Sequence, residues 1–67
     1  MKVYLVIESC GYTESTLISV RGFPSIEDWI PIEDAYNMLR RHDKARRFME
    51  KNWDDSAYVS MQADDDY

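Results

Sequence analysis

The chain has 67 residues, 13 Asp and Glu against 8 Lys and Arg, a formal net charge of −5, one cysteine and one histidine. So short a chain makes one domain, residues 1–67, with a modest core; Cys10 has no disulfide partner within it, and Cys10 with His42 cannot supply the four ligands of a structural zinc. The acidic balance disfavours bulk attraction to nucleic acid or anionic membranes, and 13% aromatic residues is more than a disordered chain carries.

"VYLVIES" (Val3 to Ser9) is rich in β-branched and aromatic residues and predicts a strand. Val3, Leu5 and Ile7 alternate with Tyr4 and Val6, so both faces are apolar, which suits a central strand. The opening "MKVYLVIESCGY" lacks the pattern of a secretory leader, because its apolar run is short and Glu8 interrupts it. A free cysteine with no export pattern leads us to expect the cytoplasm. No window approaches the ~20 apolar residues of a membrane span.

"CGYTES" (Cys10 to Ser15) predicts a hairpin loop, and "TLISVRGF" (Thr16 to Phe23) a second strand, with Ile18 and Val20 on one face and Leu17, Ser19 and Arg21 on the other. In "PSIEDWIP", Ser25 with Asp28 three residues later has capping-box spacing and predicts a single helical turn. Pro31 suits the first position of a new helix, with Glu33 and Asp34 in its first turn, where the helix dipole favours negative charge.

Residues 31–52 follow a helical period. It places Ala35, Met38, His42, Ala45, Met49 and Trp53 on one side and Arg40, Lys44, Arg47 and Lys51 on the other. Unbroken, that helix is ~33 Å long, against ~23 Å for a seven-residue strand. Either it overhangs the sheet or it breaks near "RHDK", with Asp43 capping a second segment. "SAYVSM" (Ser56 to Met61) alternates and predicts a third strand, and residues 62–67 read as a frayed acidic tail.

The expected fold class is therefore α/β, more narrowly α+β. It is a ββαβ chain whose three-stranded, mainly antiparallel sheet has the order 2-1-3, with one long or broken helix on one face. The other face presents Tyr4, Val6, Leu17 and Tyr58, an apolar patch of the kind that marks an interface or a homodimer contact. The plain alternative is that Lys2, Glu8 and Arg21 shield it.

Few residues suggest reaction chemistry. Cys10 and His42 lie far apart in the chain, and Gly11 and Gly22 stand alone rather than in a phosphate loop. The carboxylate pairs Glu27–Asp28, Glu33–Asp34 and Asp54–Asp55 are adjacent in sequence, so their side chains diverge. Asp64, Asp65 and Asp66 lack the alternate spacing of a calcium loop. We expect no enzyme activity, no cofactor and no metal.

Charge is sorted into blocks: residues 1–39 carry −4, residues 40–51 carry +4 and residues 52–67 carry −5. The basic row Arg40, Lys44, Arg47 and Lys51, flanked by Arg41 and Arg46, could track phosphates, with Tyr36 to stack on a base. Against this, Asp43–Arg47 and Arg46–Glu50 are ordinary i,i+4 pairs, and the net sign opposes direct nucleic-acid binding. Conversely, Asp54, Asp55, Asp64, Asp65 and Asp66 bracket the third strand and could engage a basic groove on another protein. A frayed, solubilising terminus is the plain reading of the last three.

The opening "MKVYLVIES", the acidic "WDDS" and "ADDDY", and the lack of a catalytic constellation give the chain a resemblance to small acidic phage and mobile-element proteins, among them the anti-CRISPR inhibitors. The resemblance implies a stoichiometric inhibitor that binds a bacterial defence protein or complex and obstructs its nucleic-acid channel or partner site. The basic helix departs from a pure nucleic-acid mimic, which would be acidic throughout. The alternatives are a small nucleic-acid-associated regulatory protein using Arg40 to Lys51, or an accessory subunit of a complex.

Overall fold

In the computed structural model, which describes residues 2–21 and 28–64, the first strand, β1 (Lys2–Ser9), alternates as its sequence dictates. Val3, Leu5, Ile7 and Ser9 are buried, while Lys2, Tyr4 and Glu8 are exposed and Val6 is half-buried. Each fully buried aliphatic side chain contributes about 1.5–3 kcal/mol, so β1 alone carries a large share of so small a core.

The chain reverses at Cys10 and Gly11, since Ser9 pairs directly with Tyr12. Gly11 has φ 93°, a value that L side chains adopt at a cost. A negative φ followed by a positive one is the pattern of a type II turn, which calls for glycine at its third position. The second strand, β2 (Tyr12–Ser19), pairs with β1 along its whole length. It begins four residues earlier than the expected Thr16. Tyr12, Thr13, Glu14 and Ser15 are all exposed, so their polarity reads as loop, yet backbone pairing with β1 needs no burial. The expected end of that strand at Phe23, and the capping box begun by Ser25, fall outside the described residues.

A two-residue strand, β3 (Ile30–Pro31), follows, with Ile30 opposite Val59 and Pro31 opposite Tyr58. The expected three-stranded sheet does not include it. So short an element shows no periodicity, and proline is tolerated only at edges and strand ends. Pro31, at φ −55° and ψ 143°, then stands just before the first helical residue of α1 (Ile32–Leu39) rather than in it. Glu33 and Asp34 occupy the first turn as expected, and Ile32 donates its N–H to the Ala57 carbonyl at 3.0 Å.

The helix breaks. α1 ends at Leu39 and α2 (Asp43–Lys51) starts after Arg40, Arg41 and His42. His42, not Asp43, caps α2: its Nδ1 accepts the Ala45 N–H at 3.2 Å. The break also changes which side chains are buried. Ile32, Ala35 and Leu39 of α1 and Ala45 and Met49 of α2 enter the core, whereas Met38 and Trp53 are 46% and 41% exposed. A single helical phase run through residues 40–42 had put both of them inside. Two helices of eight and nine residues, each ~12–14 Å long, lie over the strands without the overhang of one long rod.

The last strand, β4 (Tyr58–Ala63), pairs antiparallel with the other side of β1. The protein is thus α+β, with two helices and a four-stranded antiparallel sheet of order β2-β1-β4-β3. β1 is central and β2 and β4 flank it as expected, but β4 is not a bare edge, because β3 covers it at Tyr58 and Val59. The core lies on one face of the sheet, where Val3, Leu5, Ile7, Ile18, Val59 and Met61 meet the helices.

Candidate protein-binding face

The sheet face away from the helices carries Tyr4, Val6 and Glu8 from β1. Leu17 pairs with Tyr4, and Tyr58 pairs with Glu8. Tyr4 is 42% exposed and Tyr58 51%, while Val6 and Leu17 are half-buried. Ser60, opposite Val6, is fully buried. The face is therefore two exposed phenols over a partly covered aliphatic floor, rather than the uniformly open patch that the alternation implies.

At the hairpin end of this face lies a depression of about 670 Å³ lined by Glu8, Ser9, Cys10, Gly11, Trp29, Ser56 and Tyr58. Trp29, 42% exposed, is the residue that sequence reasoning missed. It sits one position before β3, and only the pairing of β3 with β4 brings it beside Tyr58. A tryptophan next to an Ile-Pro step is the available signal in the sequence.

The acidic residues take different roles. Asp54 is an internal brace: Oδ2 accepts from the Ser9 hydroxyl at 2.5 Å, and Oδ1 accepts from the Ser56 N–H at 2.9 Å and its hydroxyl at 2.8 Å. These bonds, the Ser9 one foremost, hold its carboxyl below the usual aspartate range. They fasten the loop after α2 to the end of β1. Asp55 accepts from the Trp53 indole N–H at 2.8 Å. Asp64 donates its backbone N–H to the Lys2 carbonyl at 3.0 Å, at the other end of β4. The two acidic groups thus sit at opposite ends of that strand, ~17–20 Å apart for its length. Asp65 and Asp66 lie outside the described residues.

The basic row is divided by the helix break. Lys44, Arg47 and Lys51 are exposed along α2, while Arg40 and Arg41 belong to the connection and leave its register. Arg46 turns back: it meets Asp43 at 3.2 Å and Glu50 at 4.0 Å, and donates to the Arg40 carbonyl at 3.1 Å. Asp43 therefore pairs with Arg46 and not with Arg47. Tyr36 donates to Glu50 at 3.0 Å and packs edge-on against Trp53, with ring centroids 5.5 Å apart. The Glu50 hydrogen bond raises the Tyr36 phenol above its ordinary value, and its packing removes it from the basic row.

Cys10 is exposed in the hairpin turn, and His42 reaches Ser19, which pairs with Lys2 at the far end of the same hairpin. Seven strand steps, ~24 Å, separate them, so they form no Cys–His pair. Among the described residues, no three His, Cys, Asp or Glu side chains gather where a metal ion could sit, and no helix is long and apolar enough to cross a membrane. No family model, curated protein or solved structure matches the chain.

Proposed function

We propose that the chain works without catalysis, as a stoichiometric inhibitor that covers a site on another protein. Its most concrete form is an anti-CRISPR or other anti-defence protein of phage type. The observation that carries the reading is the face holding Tyr4, Trp29 and Tyr58, at 42%, 42% and 51% exposure, on the side of the sheet that the helices leave uncovered. Tyrosine and tryptophan are the residues that supply most contact area per immobilised torsion, and they anchor protein interfaces. Glu8, opposite Tyr58 on that face, adds the negative charge that speeds encounter with a basic surface. The resemblance noted in the sequence supplies the class of partner.

The test is phage plating on cells with a defined CRISPR interference system, with and without the chain, followed by co-elution with the purified interference complex. The wild-type chain restores plating and co-elutes one to one. Tyr4→Ser with Tyr58→Ser loses both effects while remaining folded. The second reading is a nucleic-acid-associated protein using Arg40, Lys44, Arg47 and Lys51. It is favoured by the exposure of the last three on one helix. A low-salt gel shift that Lys44→Glu with Arg47→Glu abolishes would establish it instead.

A further inference from the structure

We propose that the depression between the hairpin turn and Trp29 receives the guanidinium of an arginine presented by the partner protein. The inference deepens the protein-binding reading above and rests on it.

Three side chains define the pocket chemistry. Glu8 and Tyr58 are direct partners across β1 and β4, so their side chains leave the same face with Cβ atoms ~4.5–5.5 Å apart. Trp29 lines the same depression. An indole and a phenol beside one carboxylate are what a delocalised cation needs. The ring faces attract it through their quadrupoles, and the carboxylate accepts its N–H groups in parallel. Arginine fits better than lysine, because a planar, weakly hydrated fork both stacks on an indole and bridges a carboxylate.

The surroundings agree in sign. Among the described residues, no hydrogen bond or ion pair engages the Glu8 carboxylate. Asp54 is fastened to Ser9 at the rim, and Asp55 follows it. The bases lie elsewhere. Lys2 is at the other end of β1, where Arg21 follows β2, Arg40, Arg41 and Lys44 are near the His42 end, and Arg46, Arg47 and Lys51 are on the helix layer behind the sheet. A depression of about 670 Å³ accommodates one long side chain with its flanking backbone. The Glu8 carboxylate that lines it repels an anion.

The test uses the full chain, ¹⁵N-labelled, titrated with the peptides Ac-Gly-Arg-Gly-NH₂, its citrulline counterpart and its lysine counterpart. The expected result is movement of the Trp29 indole, Cys10 and Gly11 signals with the arginine peptide, while the Trp53 indole stays still. Citrulline, isosteric and neutral, binds at least ten-fold more weakly. Glu8→Gln removes that difference, and Trp29→Ala abolishes the response. Equal binding of citrulline overturns the proposal, and so does tighter binding of lysine. Light scattering that shows a dimer dissolved by Glu8→Gln also overturns it, because the occupant is then a second copy. The two readings separate on the interference complex. If Tyr4→Ser with Tyr58→Ser releases the partner while Glu8→Gln retains it at full affinity, the face stands as the interface and the arginine assignment falls.

Discussion

His42 Nε2 lies 2.7 Å from the Ser19 carbonyl oxygen. Because Nδ1 accepts the Ala45 N–H, the ring proton resides on Nε2 and is donated to Ser19. One neutral imidazole therefore caps α2 and ties it to the end of β2. Loss of an N-cap costs about 1 kcal/mol, and loss of a tertiary hydrogen bond about 0.5–1.5 kcal/mol. His42→Ala should lower stability by about 2 kcal/mol in urea unfolding at neutral pH. His42→Asn, which can still cap, should recover roughly half of that.

Gly11 provides a cleaner test of backbone strain. A Cβ built there meets nothing within 4 Å, and its φ is +93°. Any cost of Gly11→Ala is therefore conformational, about 1–2 kcal/mol. Gly11→Asn should cost less, since asparagine tolerates positive φ. If equilibrium unfolding finds Gly11→Ala neutral or stabilising, the turn geometry assigned here is wrong.

Asp54 links stability to acid pH. Its carboxyl is depressed first by the Ser9 hydroxyl and then by the backbone N–H and hydroxyl of Ser56. A depressed folded-state value means that the unfolded chain takes up the proton more readily. The brace is thus fully present above the ordinary aspartate value of ~3.9 and is lost as pH falls through the lower, folded one. Asp54→Asn should be less stable than wild type at pH 7, and the two unfolding curves should converge as pH drops below ~4. A gap that persists unchanged into acid would show that the carboxylate charge is not what braces the loop.

Tyr36 should titrate above the ordinary phenol range. Its phenol donates to Glu50, which also repels the phenolate, with Arg46 opposing weakly. In ultraviolet pH titrations of the wild type and of Tyr36→Phe, the difference that reports Tyr36 should appear above the ordinary phenol value of ~10. Glu50→Gln should return it towards the ordinary range, because the acceptor is then neutral. The same substitution leaves the edge-on contact with Trp53 in place, so loss of the aromatic signal would point to a rearranged helix instead.

The parts of the fold that the sequence made legible are those governed by burial. The alternation in Val3, Leu5 and Ile7 marks the central strand, and Val59 with Met61 marks its neighbour, because each of these side chains has to be removed from water. What was hidden depends on long-range geometry. β2 reaches back to Tyr12 through backbone bonds that leave its polar side chains in solvent. Helical periodicity ran through residues 40–42, so Met38 appeared buried in place of Leu39. The candidate face was half legible. Tyr4 and Tyr58 follow from alternation alone, whereas Trp29 joins them only because two residues, Ile30 and Pro31, pair with β4. The acidic residues look equivalent in sequence, and only their hydrogen-bond partners, Ser9 for Asp54 and the Trp53 indole for Asp55, separate them.

The core and the candidate face lie on opposite sides of one strand. Leu5 and Tyr4 are neighbours in sequence on opposite sides of β1, the first 0% exposed and the second 42%. Leu5→Ala removes buried volume and should cost about 2–5 kcal/mol, a large part of what a domain this small possesses. Tyr4→Ser and Tyr58→Ser each give up a cross-strand contact, worth about 0.2–1 kcal/mol, on a surface already half in water. Guanidinium unfolding should therefore show the double tyrosine variant close to wild type and Leu5→Ala far below it. Binding should rank them the other way at a temperature where both are folded. Leu5→Ala should keep its affinity, while the tyrosine variant should lose at least ten-fold, about 1.4 kcal/mol. If the tyrosine variant instead unfolds as readily as Leu5→Ala, those rings support the fold, and the interface must lie on another surface.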